Sequence, residues 1–326
     1  MTVSRRALMA AGIAAPLLPS LGLSPAAAQT RWQMATAYPD ANFHTRNIQT
    51  FVTDLQAADV AVQLHSNASL LPMGQIKRGV QTGQVQLGEI LLSAYGNEDA
   101  FLEVDSIPGL VADFAAAKRL SDLAKPYVEA RLARQGITLL YMVPWPPGGF
   151  YSNTPLTSLE SLRGTKFRTF NVMTNRFATL IGANPTLVQQ AEVPQAFATG
   201  VVNAMVTSAQ TGVDTQSWDY CRVFTPAGFT FTRNAIMVQK RVFDALPPAT
   251  KAAVMAAAAS AETRGWRMSE EATASTEATL RQRGMTISPA TPELTEGMRR
   301  ISAQMTEEWV ARTGEDGQRL IAAYRG

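Results

Sequence analysis

The order in which the apolar pattern changes period constrains this chain more than any single motif. From Trp32 onward RWQMATAY reads as a strand, TRNIQTFVTDLQAA as a helix, DVAVQLHS as a strand, GQIKRGVQTGQ as a helix and VQLGEILLS as a third strand. Such a β-α-β-α-β succession carries a crossover helix between neighbouring strands, so it predicts a parallel sheet wrapped by helices. Open sheets of this kind collect ligands beyond the carboxyl ends of their strands. That singles out the loops 38–44, 66–71 and 93–97.

A helical DFAAAKRLSDLAKPYVEARLARQG and a strand ITLLYMV come next, followed by PWPPGGFYSN at 144–153. Its three prolines and two glycines argue against regular structure, so the chain is expected to pass here into a second lobe. The alternation then resumes, with TKFRTF, NPTLVQ and VVNAMVTS as strands and NVMTNRFATLIG and EVPQAFATG as helices. This lobe reads as the smaller of the two. RNAIMVQK is a further strand. Residues 246–284 form a long alanine-rich helix with Pro247 and Pro248 in its first turn and Gly284 at its end. At ~1.5 Å per residue it would be roughly 55 Å long, more than one lobe can cover. It is expected to run along both lobes, with a kink near Gly265.

The 326 residues suffice for two domains of about 150 residues each. Residues 1–28 stand apart: SRR precedes the apolar ALMAAGIAAPLLPSLGL and the small residues Ala26, Ala27 and Ala28. They read as a secretory signal peptide cleaved near Ala28. The paired Arg5 and Arg6 point to the twin-arginine route, an ordinary signal with two basic residues being the alternative. No other segment approaches the roughly 20 apolar residues of a membrane span, so a soluble periplasmic protein is expected. Without Arg5 and Arg6 the net charge falls from +3 to +1, and no basic tract remains for nucleic acid. Cys221 is the single cysteine, so no intrachain disulfide can form; it reads as a small buried hydrophobe.

One charge lies inside an apolar strand. In SLRGTKFRTFN, at 161–171, Arg168 sits between Phe167 and Phe170 just beyond the crossover. It is either a surface arginine in a weak ion pair or a guanidinium aimed into a cleft between lobes, where its planar fork matches a carboxylate.

The stretch from SLRGTKFRTFN through NVMTNRFATLIGANPTLVQQAEVPQAFATGVVNAM resembles the central signature of the DctP-type substrate-binding proteins of tripartite ATP-independent periplasmic (TRAP) transporters. That family has a G-x-K-x-R strand, then a G-A-x-P-T turn, then a G-x-V-[DN]-[GA] turn, and the looser likeness extends over nearly the whole chain after residue 28. The resemblance implies an α/β, two-lobed periplasmic-binding-protein architecture with a long helix spanning both lobes and the ligand cleft between them. Lobe I is expected to hold 29–146 and about 233–275, and lobe II 147–232 and about 276–326.

By the same resemblance Arg168 pairs with the ligand carboxylate and Asn171 supports the ligand, while Thr207 falls where the family commonly places an asparagine. A second arginine found in many relatives is replaced here by Gly149 or Phe150. That implies a monocarboxylate with less polar decoration, or a compensating residue such as Arg233. Phe43, Tyr95, Trp145, Phe150 and Trp218 lie on or near loops expected to face the cleft, although each could as readily be core. Together they favour an aromatic or branched hydroxy acid over a sugar acid. His44 is either a ligand donor or a helix-start residue, and His65, at a strand end, reads as structural.

The expected function is therefore capture of a small organic acid by hinge closure, with delivery to the membrane permease subunits of a TRAP transporter. A sensor output remains the alternative. A secreted hydrolase has little support: the chain contains no G-x-S-x-G, no H-E-x-x-H and no phosphate-binding glycine loop, and both histidines precede residue 70. Asp214, Asp219 and Glu192 form no oxygen-ligand loop. No metal or cofactor is expected, and the protein is expected to be a monomer.

Overall fold

In the computed structural model, which describes residues 31–326, β1 (Trp32–Ala35) lies between β2 (Val62–His65) and β3 (Leu87–Leu91), parallel to both. The connections are α1 (Phe43–Ala57) and α2 (Met73–Thr82). The helical period of α1 puts Ile48, Phe51 and Leu55 against the core, and Asn42 caps it by accepting from His44 N at 2.8 Å. Beyond β3 the sheet stops being parallel. β10 (Arg233–Gln239) inserts antiparallel between β3 and β4 (Ile137–Pro144), giving the order β2-β1-β3-β10-β4. β4 is reached through α3 (Phe114–Arg134), and α7 (Lys240–Asp244) follows β10.

The second sheet has six strands, β11 (Thr286–Ile287), β9 (Val223–Pro226), β5 (Gly148–Ser152), β8 (Ala204–Ser208), β6 (Lys166–Thr169) and β7 (Asn184–Leu187), in that order. α4 (Val172–Leu180), α5 (Val193–Ala198) and α6 (Ala209–Asp214) join its members. This sheet has six strands to the first sheet's five, since β9 and β11 have too short a pattern to read in the sequence. One expectation is corrected: the stretch 144–153, expected to be irregular, contains β5. Its prolines fall before the strand, and its glycines serve contact rather than turning: a Cβ on Gly149 would lie 2.5 Å from both the Phe224 ring and the Thr225 carbonyl oxygen.

α8 (Pro248–Gln282) is 35 residues long, about 52 Å at the standard rise. It packs on α1 and β4 in one lobe and on α6 and β11 in the other. The expected kink near Gly265 is absent, since the helix runs unbroken through that position. Gly265 instead lets two elements approach: a Cβ there would lie 2.4 Å from Val143 Cγ2 and 2.7 Å from Asn47 Nδ2. Asn47 cannot easily yield, because its Nδ2 donates to Ala261 O at 2.9 Å. The non-helical residue is Gly314 (φ 61°, ψ −141°), in α9 (Pro292–Arg325), a helix that packs on both α3 and α4. The expected leader at 1–28 lies outside the described residues.

A helix-interior glycine normally weakens a helix, so Gly→Ala should stabilise by up to about 1 kcal/mol. At Gly265 the sign reverses, because the added methyl strikes a β-branched side chain on a strand. Gly265→Ala is expected to lower stability by about 1–2 kcal/mol in urea titrations; an unchanged or higher midpoint would contradict this packing.

Candidate functional site

Two chain segments pass between the sheets side by side, 145–147 from β4 to β5 and 227–232 from β9 to β10. They are bonded to one another: Trp145 N donates to Thr232 O at 2.7 Å, Gly148 N to Thr230 O at 3.0 Å and Phe229 N to Gly148 O at 2.8 Å. Against this double strap lies a cavity of about 50 Å³. Tyr38, Met73 and Leu91 wall it from the first lobe, Trp145, Phe229, Thr230 and Thr232 from the strap, and Arg168, Phe170, Gln190 and Thr207 from the second lobe.

β6 places Arg168 in that wall. The strand lies between β7 and β8 with Arg168 opposite Thr186 and Met205, and the alternation that buries Phe167 turns Arg168 to the other face. The side chain is 3% exposed. Its Nε donates to Val188 O at 3.0 Å, and Cζ lies 5.3 Å from the centre of the Phe170 ring. No carboxylate pairs with it among the described residues, and no acidic side chain lines the cavity. Burial lowers its pKa to about 10, with Tyr220 and Tyr38 opposing the shift, so it stays charged at neutral pH. Two other cations are equally buried, and both are compensated: Arg233 Nε meets Asp105 at 2.9 Å, and Lys77 pairs with Glu98. Arg168 is the exception.

Behind the wall lies a buried polar floor. Asn234 Oδ1 accepts from Trp145 Nε1 at 2.8 Å and from Tyr38 OH at 3.4 Å, while its Nδ2 donates to Glu89 at 2.8 Å. Thr36 also donates to Glu89, and His44 Nδ1 lies 3.5 Å from it. Burial pushes the Glu89 carboxyl up to about 7 and holds His44 well below its usual value. With Glu89 holding its proton and burial disfavouring the charged imidazole, their contact joins neutral groups and is not an ion pair.

Of the residues expected at the site, Arg168, Thr207 and Trp145 line the cavity. The others lie outside its lining. Phe43 and His44 pack behind Trp145, at ring distances of 5.8 and 4.6 Å. Tyr95 turns away and donates to Met73 O at 2.8 Å. Phe150 is core, between Phe177 and Phe229. Trp218 lies under Arg283, its ring centre 5.1 Å from the guanidinium carbon. Arg233, offered as a second charge, is tied to Asp105 by both its backbone N and its Nε. The Asn171 amide is wholly engaged within the protein. Its Oδ1 accepts from Thr174 N at 2.8 Å as the cap of α4, and its Nδ2 donates to Ser93 and Ser106 of the first lobe at 2.9 and 3.0 Å. His65 bonds Gln33 at 2.6 Å, and Cys221 is buried with its thiol raised to about 12 by desolvation. Among the described residues no group of three or more His, Cys, Asp or Glu could hold a metal, and no helix is long and apolar enough to cross a membrane.

Sequence reasoning reached Tyr38 only as the start of the loop 38–44, and missed Phe170, Phe229, Gln190 and the strap threonines. Gln190 carried one usable signal: it follows the carboxyl end of a parallel strand, β7. The strap carried none, because nothing in FTFT separates a cavity wall from a core strand.

A space closed between two lobes that share paired strap strands can enclose a small solute, which is the architecture of a solute-binding protein. The chain belongs to the DctP family, bacterial extracellular solute-binding protein family 7, whose family model matches residues 43–313. Three similar solved structures agree. DctP6 of Bordetella pertussis, an extracytoplasmic solute receptor binding pyroglutamic acid, is 40% identical with a TM-score of 0.89, the match covering 91% of this chain and 99% of that one. DctP7 of the same organism, also described as binding pyroglutamic acid, is 42% identical with a TM-score of 0.89, covering 91% and 100%. A marine metagenome TRAP solute-binding protein from an unidentified microbe, specific for pyroglutamate, is 33% identical with a TM-score of 0.88, covering 90% and 98%.

The floor makes stability depend on pH. With Glu89 raised from 4.5 to about 7, the folded chain keeps between those values a proton that the unfolded chain has lost. Stability from this group is full below the unfolded value and declines as pH rises through about 7, by the order of 3 kcal/mol. Glu89→Gln, neutral at every pH, should remove that decline. Urea midpoints measured for both proteins from pH 4 to 8 test it; a wild-type-minus-variant difference that stays flat across the range would contradict the buried, proton-holding floor.

Proposed function

We propose that the cavity takes a small, singly charged carboxylic acid of the pyroglutamate class and that the protein passes it, in the periplasm, to the permease subunits of a TRAP transporter. The observation that carries this reading is the buried Arg168 guanidinium, the one cation in the wall and without a protein counter-charge. A carboxylate set on its two terminal nitrogens would match its fork and replace the water lost on burial. The remaining wall is hydroxyl, amide, aromatic and aliphatic, with no second cation for a second carboxylate. Three relatives at 33 to 42% identity carry pyroglutamate or pyroglutamic acid in their descriptions, which supports the same class here.

The expectation of a larger aromatic or branched acid rested on five aromatic residues, of which only Trp145 lines the cavity. A compact ring acid packed among Tyr38, Trp145, Phe170 and Phe229 fits the small space better. Capture is completed by closure, because walls from both lobes exist together only when the lobes meet.

Pyroglutamate at about a hundred times its Kd should stabilise the wild type by about 2.7 kcal/mol. Arg168→Met removes the charge while keeping much of the volume, and is expected to melt no lower than wild type without ligand. Its Kd should rise between about thirtyfold and a thousandfold. Arg168→Lys should recover little of the loss, since a point charge cannot make the two-pronged contact. Calorimetric titration of the three proteins decides the matter: near-wild-type binding by Arg168→Met would remove the arginine from its role.

A further inference from the structure

Outside the wall, the half-buried carboxylate of Asp214 at the end of α6 gathers three side-chain amides. Asn42 Nδ2 reaches it from the first lobe at 2.6 Å, Gln210 Nε2 from its own helix at 2.7 Å and Gln190 Nε2 at 3.1 Å. The orientation of these amides follows from chemistry. Asn42 must point its nitrogen at Asp214, because its oxygen already caps α1. An ionised carboxylate only accepts, so Gln190 must also present nitrogen to it. A flipped Gln190 would set a carbonyl oxygen against a carboxylate oxygen.

Gln190 lines the cavity, and Asp214 does not. With the nitrogen held by Asp214, the carbonyl oxygen is the end of the amide left for the cavity side. The hydroxyls of Thr207, Thr230 and Thr232 rotate and can donate or accept, so they discriminate poorly between a ligand donor and a ligand acceptor. A locked amide carbonyl does discriminate. It accepts only, and facing a ligand oxygen it is left unpaired.

We infer that Asp214 is a specificity-positioning residue: by holding the Gln190 amide it presents a fixed acceptor to the cavity, which selects carboxylic acids bearing an N–H or O–H donor over isosteric acids that lack one. This deepens the carboxylate reading above and rests on it. The lactam N–H of pyroglutamate is a donor of the required kind. Because Asn42 bonds the same carboxylate from the other lobe, the arrangement is completed on closure.

The test compares pyroglutamate with its lactone analogue, in which a ring oxygen replaces the ring N–H and the carboxylate is unchanged. Kd is measured calorimetrically for wild type, Asp214→Asn and Gln190→Leu. Wild type should prefer the lactam by about tenfold or more. In Asp214→Asn the Gln190 amide is free to flip, and the preference should fall below about threefold. Gln190→Leu should show the same fall with Asp214 intact, which keeps the proposal testable if Asp214→Asn folds poorly. A merely structural role would weaken both acids alike and preserve the ratio, and that result overturns the proposal. Equal wild-type affinity for the two acids also overturns it while leaving the carboxylate reading standing; failure to bind either acid removes both.

Discussion

A guanidinium withdrawn from water with no carboxylate opposite it is the constraint around which the cavity is built. Isolating a charge in a low-dielectric interior is expensive, and proteins ordinarily answer by pairing it or by neutralising it. Arg233 and Lys77 are paired, by Asp105 and Glu98. Arg168 has a carbonyl oxygen at its Nε, an aromatic ring beside it and the electrostatic support of Tyr220 and Tyr38. That support fixes the position of the charge without cancelling it. Everything needed to hold it there is structural: a strand between two others in a six-stranded sheet, Phe167 anchoring the opposite face, and a second lobe to close the space.

The lobes meet through a local rule used twice. α1 and α4 both begin with asparagine caps, Asn42 and Asn171, and in each the carbonyl oxygen accepts from its own helix. An amide so used has only its nitrogen left, and in both cases that nitrogen donates across to the opposite lobe, to Asp214 and to Ser93 and Ser106. Aspartate would cap either helix equally well but has no donor to send across, and serine has one short hydroxyl donor where the amide has two. The choice of asparagine thus ties the ends of two helices to the contact between lobes. The strap differs in kind, because its bonds are between backbones and do not depend on which residues carry them.

Much of this architecture was legible in the sequence, since strands and helices bury faces of different period. β1, β2, β3, α1, α2 and the long α8 all came from pattern alone. What escaped were features decided by remote contact. β5 hides among glycines and prolines because Phe224 and Thr225 lie against Gly149. Gly265 looked like a helix kink and is a point of close approach, whereas Gly314, unremarked in the sequence, breaks a helix. The same limit governed the site. Arg168 stood out as a charge inside an apolar strand, yet Arg233 carries the same mark and is a structural partner of Asp105, distant along the chain. The aromatic residues were uninformative for a related reason: burial in a core and burial in a wall demand the same side chains, and only Trp145 of the five proved to be wall.

Glu89 and Arg168 show how such a site sets the charge of what it accepts. Both are buried without an opposite charge, but their chemistry leads to different outcomes. A carboxyl can meet desolvation by holding its proton, and Glu89 does so up to about pH 7. A guanidinium cannot release its proton near neutrality even when burial lowers its pKa to about 10, so Arg168 remains a cation. Glu89 therefore adds no charge to the floor while it holds its proton, and the wall carries a single positive charge, which one carboxylate would balance. A second carboxylate on the ligand would be desolvated against hydroxyls, an amide and aromatic rings, with no cation to receive it. On the proposed reading, selection for a monoanion would follow from which buried side chains are able to discharge themselves, with shape and hydrogen bonding choosing among acids of that charge.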